Sequence, residues 1–148
     1  MRKVQSIAFC GIDGSGKSSL IKYAYDFFDE KGYKAIIDKI NYSPLDKYGE
    51  SKVVDILLQL TSSVAILRHF YLQSLQYKSY DFILNDRHML CYLAYAMAYD
   101  IKNIDLIKSV LDLINTPDLI IYFDVEIKIA FERINRRCSL NGINPATH

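Results

Sequence analysis

Gly11-Ile12-Asp13-Gly14-Ser15-Gly16-Lys17-Ser18 fits the pattern G-x-x-x-x-G-K-[ST] at every fixed position. The chemistry that needs this order is a grip on a chain of phosphates. Glycines let the backbone fold back until successive N–H groups converge on one anion. A helix opening at the lysine adds the positive end of its dipole at the same point. Lys17 then reaches the β- and γ-phosphates of a nucleoside triphosphate, and the Ser18 hydroxyl is placed to ligate Mg2+. The candidate nucleotide-binding residues are therefore Gly11, Ile12, Asp13, Gly14, Ser15, Gly16, Lys17, Ser18 and Ser19, with ATP and Mg2+ as the expected cofactors.

Two later apolar runs end in an acid: Phe82-Ile83-Leu84-Asn85-Asp86 and Ile120-Ile121-Tyr122-Phe123-Asp124. An acid at the carboxyl end of the strand beside a phosphate loop can hold Mg2+ through water. Asp86 is the better candidate, because Arg87 follows it directly. A guanidinium there forks onto an acceptor phosphate while the carboxylate serves the metal. Asp124 precedes a helical run and is expected to cap it. The guanine-reading segment N-K-x-D and the protein-kinase signatures are both absent.

These groups need a scaffold, and the chain alternates short β-rich runs with longer helical ones, the pattern of an α/β fold with a parallel sheet. Strands are expected at Val4 to Cys10, Lys34 to Ile40, Asp81 to Asn85 and Leu119 to Phe123. A helix is expected from Lys17 to Lys31, with Leu20, Ile21, Ala24, Phe27 and Phe28 at helical spacing and Gly32 ending it. Asn41 to Glu50 is read as a loop, and Ser51 to Leu60, Ser62 to Tyr77, Met89 to Tyr99, Ile104 to Ile114 and Ile127 to Arg137 as helices. The tail Cys138 to His148, with Gly142 and Pro145, is read as loop. The expected architecture is a three-layer P-loop domain, strand order 2-3-1-4, with the active groups at the carboxyl ends of the strands.

The bulk numbers bound the rest. A length of 148 residues fits one domain with a real core. A net charge of +1 argues against non-specific binding to nucleic acid or anionic membrane, so any anion site must be built locally. No window has the roughly 18 apolar residues of a membrane span, and the apolar run after Ser6 is too brief for a leader. Cys10, Cys91 and Cys138 are an odd, scattered set, expected to be reduced thiols in a cytoplasmic protein. His69 is read as a surface or half-buried histidine on its helix, and Lys3, Lys31, Lys34 and Lys39 as solvated charges.

Three blocks in order resemble the thymidylate kinases: Phe9 to Ser19, then Ile83-Leu84-Asn85-Asp86-Arg87-His88, then Pro117 to Val125 continuing to Glu132-Arg133-Ile134. The resemblance implies ATP-dependent phosphorylation of a (deoxy)nucleoside monophosphate, dTMP first among them. It implies that Asp13 contacts the sugar hydroxyl of the acceptor, Arg87 its phosphate and Arg68 its base, with Lys17, Asp86 and Arg87 as the catalytic set. The chain departs from the family in three ways. Asn41 to Glu50 offers Lys47 where an arginine is usual, Ala96 stands where many members have a base-reading glutamine, and the sequence stops near the start of the lid segment. A missing fifth strand and lid would leave the fourth strand as an open edge, inviting a homodimer, and would slow turnover. Two alternatives stay open: a kinase for nucleosides or other small metabolites, and a nucleotide-binding module without turnover.

Overall fold

The computed structural model of the protein describes residues 4–39, 75–88 and 116–140, together with His69, Gln73, Cys91 and Ala94. Four strands pair in parallel in the order β2-β3-β1-β4: β1 Gln5–Gly11, β2 Ala35–Lys39, β3 Phe82–Asp86 and β4 Leu119–Phe123. The expected order therefore holds. The central strands are covered on both faces, and Ala8, Phe9, Ile83 and Leu84 are buried, as parallel strands require. Two boundaries differ by a residue in a way that matters. β1 carries its pairing into Gly11 and β3 into Asp86, so the phosphate loop and the acid both start from the sheet itself.

Helix α1, Lys17–Glu30, packs against β1, β2 and β3. Its Ile21 is buried with Phe9, Ala35 and Leu84, while Ala24, Tyr25 and Phe28 close the sides. The Phe28 ring stacks on Phe82 with centroids 3.9 Å apart, and Tyr33 meets Phe82 edge-on at 5.4 Å. The helix stops one residue earlier than expected, with Lys31 as its cap. Gly32, at φ 77°, then gives its N–H to the Asp29 carbonyl while Tyr33 N–H reaches Phe28, the paired bonds of a Schellman stop.

On the other face, period-two alternation turns Ser6, Asn85 and Asp38 away from α1. Helical residues His69 and Gln73 cover them. Asp38 accepts from Gln73 Nε2 at 2.5 Å and Tyr77 Oη at 3.2 Å, and His69 Nε2 lies 2.6 Å away. Gln73 also reaches Asn85 Oδ1 at 2.6 Å, and Asn85 Nδ2 donates to Ser6 Oγ at 2.9 Å. A buried polar chain thus crosses β2, β3 and β1 with its members paired, which is what burying a carboxylate demands. With α1 on one face and this helical segment on the other, the domain has the three layers of the P-loop nucleoside-triphosphatase architecture.

Helix α2 spans Ile127–Leu140, three residues beyond the expected end at Arg137. Cys138 is buried and Ser139 Oγ donates to the Asn135 carbonyl at 2.9 Å, so the helix continues where loop was expected. Glu126 immediately precedes α2 and its carbonyl accepts Ala130 N–H; Asp124 is not at the cap position. β4 lies at the edge of the described sheet, with Leu119, Ile120 and Tyr122 exposed. Asp118 ties its start to β1 by donating its N–H to the Ser6 carbonyl and accepting Ser6 N–H on its carboxylate.

The loop at 41–50, the helices at 51–60 and 104–114, and the tail beyond 140 lie outside the described residues. Most of the helices at 62–77 and 89–99 does too, although His69, Gln73, Cys91 and Ala94 are helical as expected. No helix among the described residues is long and apolar enough to cross a membrane.

Candidate active site at the carboxyl edge of the sheet

Between β1 and α1 the chain makes the turn the glycine spacing calls for. Ser15 N–H bonds back to the Ile12 carbonyl at 3.2 Å. Gly16 precedes α1 at φ 102°, a conformation glycine adopts without strain, and offers no side-chain cap to the first turn. The leading N–H groups of α1 are therefore left to whatever anion enters the loop. Gly14 is constrained differently. A Cβ there would lie 2.3 Å from the Ala130 carbonyl oxygen, because the back of the loop presses flat on α2. Gly14→Ala must push α2 away and also strains φ 78°. We expect it to destabilise the fold by about 2–4 kcal/mol, toward the upper range for a single substitution, read as a lowered midpoint in urea.

Arg133 of α2 fastens the same contact. Its Nη1 donates to the Gly14 carbonyl at 3.3 Å and approaches that of Ser15 at 3.5 Å. In the sequence Arg133 figured only in the third block of the family resemblance; the structure puts its guanidinium on the outer carbonyls of the loop. Holding carbonyls outward keeps the N–H groups facing inward.

Lys17 is buried at the mouth of the loop. Its Nζ donates to the carbonyls of Ile12 at 2.7 Å and Gly11 at 2.9 Å, and lies 3.5 Å from Ser15 Oγ and 4.0 Å from Asp13. Burial pushes the ammonium pKa down and the Arg87 guanidinium adds to this, while the carboxylates of Asp13 and Asp86 oppose it. Ser18 and Ser19 follow on the first turn of α1, with exposed side chains.

Across the loop, β3 delivers Asp86 opposite Phe9, and Arg87 N–H then bonds to the Phe9 carbonyl at 3.1 Å. Arg87 sits at φ 81°, the one positive value outside glycine among the described residues. Non-glycine residues rarely hold that conformation, and where they do it often serves a site. It aims the guanidinium at the phosphate loop, where Nη2 pairs with Asp13 Oδ1. Lys39 is exposed, as expected of a solvated charge, and its Nζ lies 4.0 Å from Asp86 Oδ2. Asp13, Lys17, Lys39, Asp86 and Arg87 thus gather at the carboxyl edge of β1, β2 and β3. Arg68 lies outside the described residues. The contacts of Arg133 and Lys39 escaped the sequence reading because both are long-range; β2–β3 pairing, which sets Lys39 opposite Asp86, was the available signal for the second.

A parallel sheet in this order, with a glycine loop running into a helix at the central strand, defines a P-loop phosphate-binding protein. No family model matches the chain. Among curated proteins, it is 34% identical over 148 residues to a probable thymidylate kinase of Archaeoglobus fulgidus, covering 91% of this chain and 71% of that protein. A thymidylate kinase of Leptospira borgpetersenii is 30% identical over 146 residues, covering 88% and 68%. A probable thymidylate kinase of Sulfurisphaera tokodaii is 26% identical over 142 residues, covering 91% and 71%. The chain belongs to the thymidylate kinase family. In fold it is similar to the crystal structure of thymidylate kinase from Ehrlichia chaffeensis, with a TM-score of 0.61, 20% identity, and coverage of 93% of this chain and 84% of that one.

Proposed function

We propose that the chain catalyses transfer of the γ-phosphoryl group of ATP to the phosphate of a (deoxy)nucleoside monophosphate, with dTMP the first acceptor to test. The observation that carries this is Arg87, turned by its positive φ to face the phosphate loop beside Asp86 and on Asp13. It is a cation set for a second phosphate, across from the one that Lys17 serves. The names of the relatives point the same way.

The residues fit the triphosphate. The uncapped N–H groups after Gly16 and the Lys17 ammonium would hold its phosphates, and Ser18 and Asp86 would hold Mg2+. ATP with Mg2+ supplies, when bound, a phosphoryl group whose charge is partly neutralised. Lys17 exchanges its bonds to the Gly11 and Ile12 carbonyls for phosphate oxygens. Arg87 orients the acceptor phosphate in line, and Asp13 is free to accept a sugar hydroxyl once Arg87 moves onto that phosphate. Catalysis is then positioning and electrostatics, with no covalent step on the protein.

One observation favours a second reading. Arg87 is already neutralised by Asp13, and Asp86 is a buried carboxylate beside it. That arrangement would also suit a neutral hydroxyl acceptor with Asp86 as general base. ADP release with ATP and Mg2+, measured against thymidine and dTMP in parallel and then against other monophosphates, separates the two. The first reading requires monophosphate-dependent release; release with thymidine alone supports the second and defeats the first.

A further inference from the structure

Asn85 is 1% exposed in a central strand, between the fully buried Leu84 and the acid Asp86. An apolar side chain would fill that place with no polar group to satisfy, so a buried amide conflicts with its local setting. In natural proteins such conflicts gather at functional or strained sites. No step of the proposed phosphoryl transfer uses Asn85.

Each polar atom of its side chain has a partner. Nδ2 donates to Ser6 Oγ at 2.9 Å and to the Ile7 carbonyl at 3.3 Å, both on β1. Oδ1 accepts from Gln73 Nε2 at 2.6 Å. Turning the amide over would set Nδ2 against Gln73 Nε2 and Oδ1 against the Ile7 carbonyl, so one orientation alone works. Gln73 is held in its turn. Its Nε2 also donates to Asp38 Oδ2 at 2.5 Å, and the same carboxylate meets His69 and Tyr77, four residues to either side. Side chains at the spacing of one helical face thus close on a single buried acid. The bracing runs from β2 through the helical segment to β3, and from there to β1.

We propose that Asn85, braced by Gln73 on Asp38, is a positioning residue that holds Arg87 in its left-handed conformation, aimed at the phosphate loop. This rests on the acceptor role given to Arg87. A non-glycine residue at φ 81° keeps that conformation where its surroundings over-determine it. Anchors bracket Asp86 on both sides. Before it, the Asn85 side chain is tied to β1 and to the helical segment, on the face away from α1. After it, the Arg87 N–H bonds to the Phe9 carbonyl at 3.1 Å. With Asn85 released, the direction in which the chain enters Arg87 is held less firmly. The strain then relaxes by turning the guanidinium away from Asp13 and from the acceptor phosphate. The phosphate loop leaves β1 at Gly11, beyond the Ser6 and Ile7 that Asn85 touches, so ATP binding is spared.

Gln73→Met removes the helical brace at nearly constant volume, and Asn85→Ala removes the whole anchor. Amide exchange followed by NMR should quicken at Arg87 relative to Ile83 by about tenfold in Gln73→Met, the scale of one net hydrogen bond, and by more in Asn85→Ala. Should Asn85→Ala not fold, Gln73→Met carries the test. KM for dTMP should rise by a similar factor in Gln73→Met, with ATP affinity within about twofold of the parent, since the donor contacts lie on the loop and α1. Leu84→Val loosens β3 from the α1 face without touching the polar chain. It should lower stability yet leave the exchange ratio of Arg87 to Ile83, and the balance of dTMP against ATP, at parental values. An unchanged ratio in Gln73→Met, or the same rise in Leu84→Val, overturns the proposal. A parent chain that transfers phosphate to no monophosphate defeats the acceptor reading instead, and the exchange ratio still judges whether Asn85 holds Arg87.

Discussion

Lys17→Ala is expected to lower kcat/KM for phosphoryl transfer by about 10²–10³ or more, the scale for removing one preorganised charge-stabilising donor, while leaving cooperative unfolding near that of the parent. The first half follows from position: Nζ lies among the loop carbonyls at the mouth of the anion site. The second follows from the sign of its pKa shift. Burial and Arg87 lower the Lys17 pKa in the folded state below its ordinary 10.5, so folding disfavours the charged form. Below both the folded and the unfolded value that penalty is fully present; it disappears as pH rises through 10.5. Removing the ammonium relieves the penalty and offsets the loss of its bonds to Gly11 and Ile12. Thermal denaturation should show a midpoint close to the parent at pH 7, and the parent should gain relative to the mutant as pH climbs toward 10.5. A collapse of the midpoint with the activity would mean that Lys17 holds the fold and not the phosphate.

Arg87→Ala should separate the two substrates. Losing a charge-assisted forked contact costs on the order of 2–4 kcal/mol in kcat/KM for the acceptor, about 30- to 1000-fold. ATP affinity should stay within about twofold, because the donor contacts run through Lys17 and the N–H groups of α1. Arg87→Lys keeps the charge and loses the fork, so it should fall between. The backbone supplies an internal control. Arg87 sits at φ 81°, where an alanine carries the same strain and a glycine does not. Arg87→Gly should therefore be more stable than Arg87→Ala by about 1 kcal/mol, with the same loss of acceptor. Weakened ATP binding with unchanged acceptor kinetics would remove Arg87 from the role assigned to it.

The parts of this site that sequence could reveal are those written in contiguous residues. Gly11 to Ser18 states its own turn, its anion and its helix, and Phe82 to Arg87 states a buried strand ending in opposite charges. The strand order followed from alternating elements and the placing of the active groups at one sheet edge. What escaped lies in contacts between distant segments. Arg133 reaches the loop from 118 residues away, and nothing in the local pattern of α2 distinguishes it from Arg136 or Arg137. Asp38 inside the apolar run of β2 was a visible oddity, but its partners His69, Gln73 and Tyr77 come from a helix whose register the sequence left loose. The end of α2 was misplaced because Gly142 and Pro145 suggested an early stop, whereas a buried Cys138 keeps the last turn on the domain.

The most direct test of the central claim is the fate of a label on the γ-phosphate. Incubated with labelled ATP, Mg2+ and dTMP, the chain should place the label in a nucleoside diphosphate that comigrates with dTDP, and should do so only when the monophosphate is present. Label appearing solely as inorganic phosphate, or remaining in ATP with dTMP and every other monophosphate supplied, would contradict the account.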